Sequence, residues 1–403
     1  MLVVPLFGAS ALAEGFIAAG NMHGKGRMGK LIHALGLMSG TSMDGIDVAL
    51  IETDGAARVH RGPSACLPYS GEFRAQLLAA TADARGLVDR KARPGCLAAV
   101  ERALTEQHAA AVERFLHSHG LAKDSITVVG FHGHTVLHRP SQRLTVQIGD
   151  GALLAAATGI DVVYDMRASD CAAGGQGAPL GPVYHRVLVS HLPERPVAVL
   201  NIGGVANVTW IGHDGALLAF DAGPGNALID DWMMRHTGTP CDENGRAAMA
   251  GRVHEDVVRF YLSQSYFSAP APKSLDRNAF AVGVVDDLAV EDGAATLAAF
   301  TAAAVAKSRE LMPEEPLLWI VAGGGRKNRA IMTMLAERVH HAVVPAEAVH
   351  LDGDSLEAEA WAYLAVRSLK GLPITFPGTT GVPEPTMGGV LARANGAPTG
   401  PSP

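Results

Sequence analysis

A loop rich in small polar residues lies between two apolar runs near the start of the chain. Glycines at its two ends permit backbone conformations that point several amide N–H groups at one anion. Its hydroxyl groups can donate to phosphate oxygens, and its carboxyl groups can hold Mg²⁺ directly or through water. We take as candidate anion-contacting residues Gly40, Thr41, Ser42, Met43, Asp44, Gly45, Ile46 and Asp47. An ordinary hairpin turn is the alternative, because glycine, serine and aspartate are common in turns.

Three further glycine-containing turns follow apolar runs in the second half of the chain. The segment 221–226 precedes a predicted helix, so its amides lie near a positive helix end. A tight strand-to-helix turn capped by Asn226, and a plain turn at 323–325, are the alternatives. Taken together, such turns after strands indicate a nucleotide in a cleft. The candidate nucleotide-contacting residues here are Gly203, Gly204, Asp221, Gly223, Gly225, Gly323, Gly324 and Gly325.

One carboxylate stands in the most distinctive loop of the sequence, which spans residues 167–181. Asp170 follows a predicted strand and precedes a run of alanines and glycines that leaves room for a ligand. A lone carboxylate beside a cavity can act as a general base on a water molecule or a hydroxyl group. A packing loop whose aspartate caps the next segment is the alternative. We favour Asp170 as a catalytic base.

His132 and His134 form an H-x-H pair at the end of a predicted strand, with His138 and His185 further along the chain. Such a pair can ligate zinc in metal-dependent hydrolases. The chain holds 17 histidines, so short pairs arise by chance, and the sequence has no H-E-x-x-H motif. We predict a structural or substrate-contacting role, and a zinc-dependent hydrolase is kept as an alternative function.

Two similar groups of elements are expected to position these residues. Strands at 31–38 and 46–52 form a hairpin around the first loop, and strands at 197–202 and 206–211 form another around Gly204. Further strands are predicted at 125–130, 144–148, 161–164, 217–220 and 317–322, and helices at 72–84, 97–119, 151–157, 294–310, 328–339 and 356–367. The recurrence predicts a duplicated α/β fold with a cleft between two lobes. A single doubly wound sheet is the alternative.

Composition narrows the classes of partner. The chain has 403 residues, of which 33 are Lys or Arg and 40 are Asp or Glu, and its net charge of -7 argues against nucleic acid or an anionic membrane as the main partner. Four cysteines without a C-x-x-C pair indicate reduced thiols and a cytoplasmic location. No apolar run reaches the roughly 18 residues of a transmembrane helix. Residues 1–30 are predicted to be an N-terminal extension, disordered or not translated, because the ordered pattern begins at Leu31. Their apolar start lacks the basic region of a signal peptide, which argues against export.

Taken in order, the motifs resemble those of the anhydro-N-acetylmuramic acid kinase family. The resemblance extends from about Leu31 to about Ala394 and rests on the segments 36–47, 132–135, 170–179, 201–207, 221–226, 272–274 and 323–325. It implies the actin-like ATPase superfamily fold, with two ribonuclease-H-like lobes and an active-site cleft between them. We expect lobe I to comprise residues 31–165 and 370–396, and lobe II residues 166–369.

The resemblance also implies a reaction in cell-wall recycling. ATP and water would convert 1,6-anhydro-N-acetylmuramic acid to N-acetylmuramic acid 6-phosphate, with ring opening and phosphorylation occurring together. Asp170 would be the base, and the loop 40–47 would hold the ATP phosphates. Mg²⁺ would be held through Asp47 and Asp221, directly or through water, and 323–325 would lie near adenosine. The residues expected near the sugar are His132, His134, Arg167 and Glu357. The family also suggests a homodimer. A non-catalytic ATP-binding regulator is a further alternative, against which the presence of Asp170 argues.

Overall fold

The computed structural model describes residues 29–40, 42–277 and 279–395. The strands are β1 (Ile32–Met38), β2 (Gly45–Thr53), β3 (Val59–Pro68), β4 (Ile126–Phe131), β5 (His134–Arg139), β6 (Leu144–Ile148), β7 (Val162–Tyr164), β8 (Val197–Ile202), β9 (Val205–Ile211), β10 (Leu217–Pro224), β11 (Leu318–Ala322), β12 (Ala342–Pro345) and β13 (Val390–Ala392). The helices are α1 (Gly71–Asp83), α2 (Leu97–Ser118), α3 (Gly151–Thr158), α4 (Met166–Ala172), α5 (Pro182–Leu188), α6 (Ala227–Thr237), α7 (Arg246–Ala250), α8 (Glu255–Leu262), α9 (Val290–Lys307), α10 (Arg329–Val339), α11 (Leu356–Leu369) and α12 (Pro377–Thr380). The extension predicted for residues 1–30 and the candidate residue Thr41 lie wholly or mostly outside the described ranges.

The first sheet has the strand order β13-β7-β4-β1-β2-β3. Strands β1, β2 and β3 form an antiparallel meander, while β4 pairs parallel to β1, and β7 parallel to β4. If β13 and the separate hairpin β5–β6 are left out, the remaining five strands, numbered along the chain, lie in the order 3-2-1-4-5. Strand β13 is added at one edge, antiparallel to β7, and β5 and β6 form a separate hairpin.

The second sheet repeats this arrangement with the order β10-β9-β8-β11-β12. Here β8, β9 and β10 form the antiparallel meander, and β11 and β12 continue it in parallel. The prediction of a duplicated two-lobe α/β fold is therefore confirmed, and the alternative of a single doubly wound sheet is wrong.

Two helices fill the space between the sheets. Helix α11 packs on β1, β2 and β4, while α5 packs on β9 and β10, and the two helices contact each other. Glycine permits the close approach of α11, because a Cβ added to Gly36 would lie 1.7 Å from the carbonyl oxygen of Ala358. The boundaries expected from the sequence place α11 in lobe II, whereas its sheet contacts are with lobe I. In the described part of the chain, no helix is both long and apolar enough to cross a membrane.

Local capping signals explain several helix bounds. The Asp150 carboxylate accepts hydrogen bonds from the amides of Ala152 and Leu153 at the start of α3, and Gly159 ends this helix with a φ of 68°. The side chain of Asn328 caps α10 in the same way. These short polar residues satisfy amides that the first helical turn leaves without partners.

Several elements differ from the sequence predictions, and three of them have a clear local reason. Strand β3 contains Gly62 and Pro63, which obscure a strand pattern but are tolerated at a sheet edge beside a shift in register. The predicted loop 167–181 starts inside helix α4, whose small polar residues show no apolar period. Strand β10 continues past Phe220 to Pro224, with a register shift between Asp221 and Gly223.

Candidate active site

A guanidinium group lies where several predicted site residues meet. Arg167, on α4, donates from Nη1 to the carbonyl oxygen of Gly177 at 2.9 Å, and its Nη2 lies 3.3 Å from Nε2 of His132. Its guanidinium carbon lies 5.2 Å from the ring centroid of Trp361. Among the described residues, none forms a direct ion pair with Arg167. These contacts use only part of its hydrogen-bonding capacity, since a guanidinium carries five N–H donors.

The charges of three carboxylates, each on a different helix or strand, affect the pKa of this guanidinium. Desolvation lowers the pKa of Arg167, and the negative charges of Glu357, Asp170 and Asp221 oppose that shift. Glu357 is the second residue of α11, Asp170 lies on α4, and Asp221 lies on β10, which belongs to the second sheet. The fold therefore brings three predicted carboxylates from separate parts of the sequence around the positive charge of Arg167.

The Asp170 carboxylate is almost fully buried and is held from two sides. Its Oδ1 accepts a hydrogen bond from the amide of Gly177, and its Oδ2 accepts one from the hydroxyl of Thr380, both at 2.6 Å. An added Cβ at Gly175 would lie 2.2 Å from Oδ1, so the close approach of this loop requires glycine. Each carboxylate oxygen keeps a further lone pair. The group is thus oriented and can still accept a proton.

The segment 272–274, one of the motifs, ties this loop to the second sheet. The amide of Asp221 donates to the carbonyl oxygen of Lys273 at 2.9 Å, and the amide of Leu275 donates to Oδ2 of Asp221 at 2.7 Å. The hydroxyl of Ser274 donates to Oε1 of Gln176 at 3.0 Å. Gln176 belongs to the loop that holds Asp170, so this segment contacts both sides of the candidate site.

Glu357 links the two lobes and lies open to the cleft. It accepts a hydrogen bond of 2.9 Å from Nδ2 of Asn201, the next-to-last residue of β8 in the second sheet. The surrounding protein restricts its hydration and raises its pKa; Arg167 opposes this shift and Asp47 adds to it. The pKa of Asp47 is raised in turn, first by burial and then by the charges of neighbouring aspartates such as Asp354.

These acidic groups suit a divalent cation. Burial raises the pKa of Asp221 to about 7 and also raises that of Asp47, so neither carboxylate has enough positive charge nearby. Within the described residues, no group of three or more His, Cys, Asp or Glu side chains is arranged to hold a metal. Mg²⁺ commonly uses one or two carboxylates together with water and phosphate oxygens, so the donors present fit it.

His132 is held in one tautomer by its neighbours. Its Nδ1 donates to the carbonyl oxygen of Ser39 at 3.1 Å, which leaves Nε2 to accept from Arg167. Burial lowers its pKa well below the ordinary histidine value, and the positive charge of Arg167 lowers it further. The imidazole is therefore neutral. It packs against Trp361 with 4.7 Å between the ring centroids and an angle of 46° between the ring planes.

His134 lies behind Ser39 and is fully buried. Its Nδ1 is 3.4 Å from Oγ of Ser39, which also accepts a hydrogen bond from Tyr69, and burial lowers its pKa to about 4. Its Nε2 has no partner among the described residues. With both ring nitrogens of His132 engaged, the pair is not arranged to share a zinc ion, and the zinc-hydrolase alternative is not favoured.

The turn at 203–204, which follows β8, is joined by backbone hydrogen bonds to the segment that leads into α6. The amide of Asn226 donates to the carbonyl oxygen of Gly203 at 2.7 Å, and that of Gly225 donates to the carbonyl oxygen of Gly204 at 3.0 Å. A Cβ at Gly225 would lie 2.2 Å from the oxygen of Gly203. This packing places an exposed glycine turn beside the amino end of an eleven-residue helix.

The turn 323–325, which follows β11, lies beside the end of β8 and the start of α6. Gly323 has a φ of 74°, and a Cβ there would lie 2.4 Å from Oδ1 of Asn201. A Cβ at Gly324 would lie 3.3 Å from Nδ2 of Asn226. The glycine turns of β8, β10 and β11 thus meet at one place. Gly223 has a separate packing role, because its Cβ would lie 2.5 Å from that of Ala304 on α9.

The first loop forms the tip of the β1–β2 hairpin and faces the second lobe. The amide of Met43 donates to the carbonyl oxygen of Gly40 at 3.1 Å, and Met43 has a φ of 57°. Burial raises the pKa of Asp230 on α6 to about 7, and Asp44 is among the charges that add to this shift. The charge of Asp44 therefore reaches the first turn of α6. Ile46 is buried in the first lobe.

Two residues of the site were not predicted. Trp361 lies four positions after Glu357 on α11, so helical spacing could have suggested that both face the cleft. Thr380 is 210 residues from Asp170 and belongs to none of the motifs, so nothing local indicates its contact with the carboxylate.

Comparisons with known proteins agree with the motifs. A family model described as anhydro-N-acetylmuramic acid kinase matches residues 32–394. A protein of that name from Brucella canis is 53% identical over 372 residues, covering 91% of this chain and 100% of the relative. Another from Agrobacterium fabrum is 52% identical over 373 residues, with the same shares covered.

Solved structures with similar folds are more distant. An activator of 2-hydroxyisocaproyl-CoA dehydratase from Clostridium difficile has a TM-score of 0.42 at 13% identity, covering 84% of this chain and 96% of its own. A ROK family glucokinase from Streptomyces griseus has a TM-score of 0.37 at 15% identity, covering 83% and 99%. The family match and the relatives at over half identity carry the conclusion: this chain belongs to the anhydro-N-acetylmuramic acid kinase family.

Proposed function

We propose that the protein is an ATP-dependent kinase that opens 1,6-anhydro-N-acetylmuramic acid with water and phosphorylates it. The product is N-acetylmuramic acid 6-phosphate, formed during cell-wall recycling. Family membership supports the choice of substrate. The observation that supports the chemistry best is the Asp170 carboxylate, oriented by Gly177 and Thr380 beside the Arg167 guanidinium.

The reaction needs one general base. A water oxygen forms a bond to C1 of the sugar while the bond from C1 to the bridging oxygen breaks. That oxygen leaves as O6 and bonds to the γ-phosphoryl group, and ADP departs. The leaving oxygen takes phosphorus instead of a proton, so the only proton to remove is that of the attacking water. We assign this removal to Asp170, whose oxygens each retain an acceptor site.

Arg167 is suited to position the reacting groups. It is anchored by Gly177 and His132, and its remaining N–H donors can bind oxygens of the sugar or the phosphate. The neutral His132 accepts from it and so holds the guanidinium without competing for the negative charges of the cleft. Glu357, open to the cleft, is proposed to contact the sugar.

The nucleotide is proposed to lie between the two hairpin tips. The positive end of the α6 dipole and the exposed turn 203–204 would face its phosphates, an arrangement that favours negative charge. The loop 40–47 would cover the phosphates from the other lobe, and 323–325 would lie near the adenosine. When bound, Mg²⁺ supplies positive charge that offsets the charge on the phosphoryl oxygens, with Asp47 and Asp221 as the residues to hold it.

A homodimer and a cytoplasmic location form part of this proposal, as the family resemblance suggests. Light scattering of the purified protein at several concentrations tests the first. Fractionation of the native cells tests the second. A monomer at all concentrations, or recovery outside the cytoplasm, would remove the corresponding statement and leave the reaction unaffected.

An ADP-release assay tests the proposed reaction. Purified protein is incubated with ATP and Mg²⁺, with and without 1,6-anhydro-N-acetylmuramic acid. We expect ADP release that depends on the sugar. ADP release at the same rate without the sugar, or no release at all, would contradict the proposal. The latter result would favour an ATP-binding regulator, which has no use for an oriented base.

A further inference from the structure

A pocket of about 280 Å³ opens beside the candidate active site, at the carboxyl ends of β4 and β7. Its walls include the loop 90–93, Gln147 and Asp165. His132 also lines it, and this residue contacts Arg167 in the cleft. The pocket volume is near the lower end of the range of roughly 300–1,000 Å³ for small-molecule sites, which suits part or all of a monosaccharide.

The charged residues of the pocket leave one cation without a partner. Arg90 is paired with Asp165 at 2.5 Å, and Arg93 makes two hydrogen bonds to Glu101 at 2.7 and 2.9 Å. Lys91 is exposed, and among the residues that the structure describes nothing bonds to its ammonium group. Three cations and two carboxylates line the pocket, so it offers one unpaired positive charge to a ligand.

An unpaired acceptor is found in the same wall. The side-chain nitrogen of Gln147 donates to the hydroxyl groups of Thr145 and Thr135, at 2.8 and 3.3 Å. Its Oε1 is buried and has no partner among the described residues. Buried polar atoms nearly always have a hydrogen-bond partner, so an acceptor of this kind suits a donor that arrives with a ligand.

We propose that this pocket receives the acetamido and lactyl substituents of the anhydro-sugar, and that Lys91 pairs with the carboxylate of the lactyl ether. This inference rests on the proposed function, which supplies a sugar with one carboxylate and one acetamido group. The single free ammonium matches the single carboxylate, and the amide N–H of the acetamido group is the donor that Gln147 lacks. Lys91 is then a specificity residue, because the same sugar ring without the lactyl group has no charge to pair with it.

Direct binding measurements test this assignment. Titration calorimetry without ATP compares 1,6-anhydro-N-acetylmuramic acid with 1,6-anhydro-N-acetylglucosamine, which lacks the lactyl group. We expect Lys91→Met to weaken binding of the lactyl sugar by up to about fivefold at low salt, and less at high salt, as for an exposed ion pair. Binding of the sugar without the lactyl group should stay unchanged. Lys91→Arg, which keeps the charge, should retain most of the affinity.

Lys123→Met is the matched control. Lys123 is also exposed, but it lies just before β4, at the opposite end of that strand from the pocket. This variant should bind both sugars like the wild type. Unchanged binding by Lys91→Met, or an equal loss for both sugars, would overturn the assignment of Lys91.

The two proposals can fail separately. A wild-type protein that binds the lactyl sugar in a Lys91-dependent manner but does not phosphorylate it would contradict the proposed reaction and support the pocket. A wild-type protein that phosphorylates the lactyl sugar with no dependence of KM on Lys91 would support the reaction and contradict the pocket. Absence of any binding of this sugar to the wild type would overturn the assignment of the pocket.

Discussion

Thr380 and Asp170 are 210 residues apart in the sequence, yet the hydroxyl of Thr380 donates to Oδ2 of Asp170 at 2.6 Å. Thr380 ends α12, a short helix that follows α11 near the end of the chain. The backbone supports the same contact, because the amide of Gln176 donates to the carbonyl oxygen of Thr380 at 2.7 Å. The segment after α11 therefore helps to hold the loop that carries the proposed base.

Replacing the base tests its role directly. Asp170→Asn keeps the shape of the side chain but removes its ability to take a proton at neutral pH. We expect kcat to fall by about 10²–10⁴-fold, the usual contribution of a general base, while calorimetry shows retained binding of ATP and sugar. Asp124→Asn, at a site away from the cleft, should behave like the wild type. Unchanged turnover in Asp170→Asn would contradict the assignment.

Thr380 is predicted to act as a positioning residue. Thr380→Val removes the hydroxyl that donates to Asp170 but keeps the shape, so kcat should fall about tenfold with little change in KM. The size of the effect corresponds to the loss of one hydrogen bond to a charged group, about 1.5 kcal/mol or more. Thr380→Ser keeps the donor and should restore most of the activity. Equal losses in both variants would indicate a packing effect instead.

The close packing of α11 on the first sheet predicts that a larger residue at position 36 lowers the stability of the protein. An alanine Cβ there would lie 1.7 Å from the backbone oxygen of Ala358, so either the helix or the strand must move. Gly36→Ala should lower the free energy of unfolding by about 1–3 kcal/mol or more, as overpacking does. Gly71→Ala is the control, since an added Cβ there meets nothing within 4 Å. Denaturant titration compares the two, and equal stabilities would contradict this packing.

The raised pKa of Asp221 predicts that the stability of the protein depends on pH. Its pKa is raised to about 7 by burial, above the value of about 3.9 expected in the unfolded chain. The folded state therefore holds a proton that the unfolded state has released between about pH 4 and pH 7, and stability falls as the pH rises through this window. Asp221→Asn removes this dependence.

The comparison is made on the protein without nucleotide. The free energy of unfolding of Asp221→Asn should rise relative to wild type as the pH increases from about 4 to about 7. The exposed residue Asp287 supplies the control Asp287→Asn. A difference between Asp221→Asn and wild type that is constant with pH would show that Asp221 is ionised throughout.

Local sequence signals were sufficient to predict the duplicated architecture. The apolar runs on each side of Gly40 and of Gly204 are contiguous in the sequence, and each pair folds as the hairpin that starts a sheet. The helix that starts at Ala227 was predicted for the same reason, because a glycine turn precedes it. Motif order also identified the family correctly.

Long-range contacts were not predictable in this way. The position of α11 on the first sheet depends on Gly36 and Gly130, which look like ordinary strand residues until the helix lies against them. The meeting of Arg167 with Glu357 depends on that same packing, since α11 carries Glu357 into the cleft. The roles predicted for the individual site residues stay predictions until the variants are measured.

The mass of the product tests the central claim most directly, namely that water addition and phosphoryl transfer occur together on the anhydro-sugar. The protein is incubated with ATP, Mg²⁺ and 1,6-anhydro-N-acetylmuramic acid, and the sugar product is analysed by mass spectrometry. The account predicts a product heavier than the substrate by one phosphoryl group and one water. A product that has gained the phosphoryl group alone would contradict it, because the anhydro ring would still be closed.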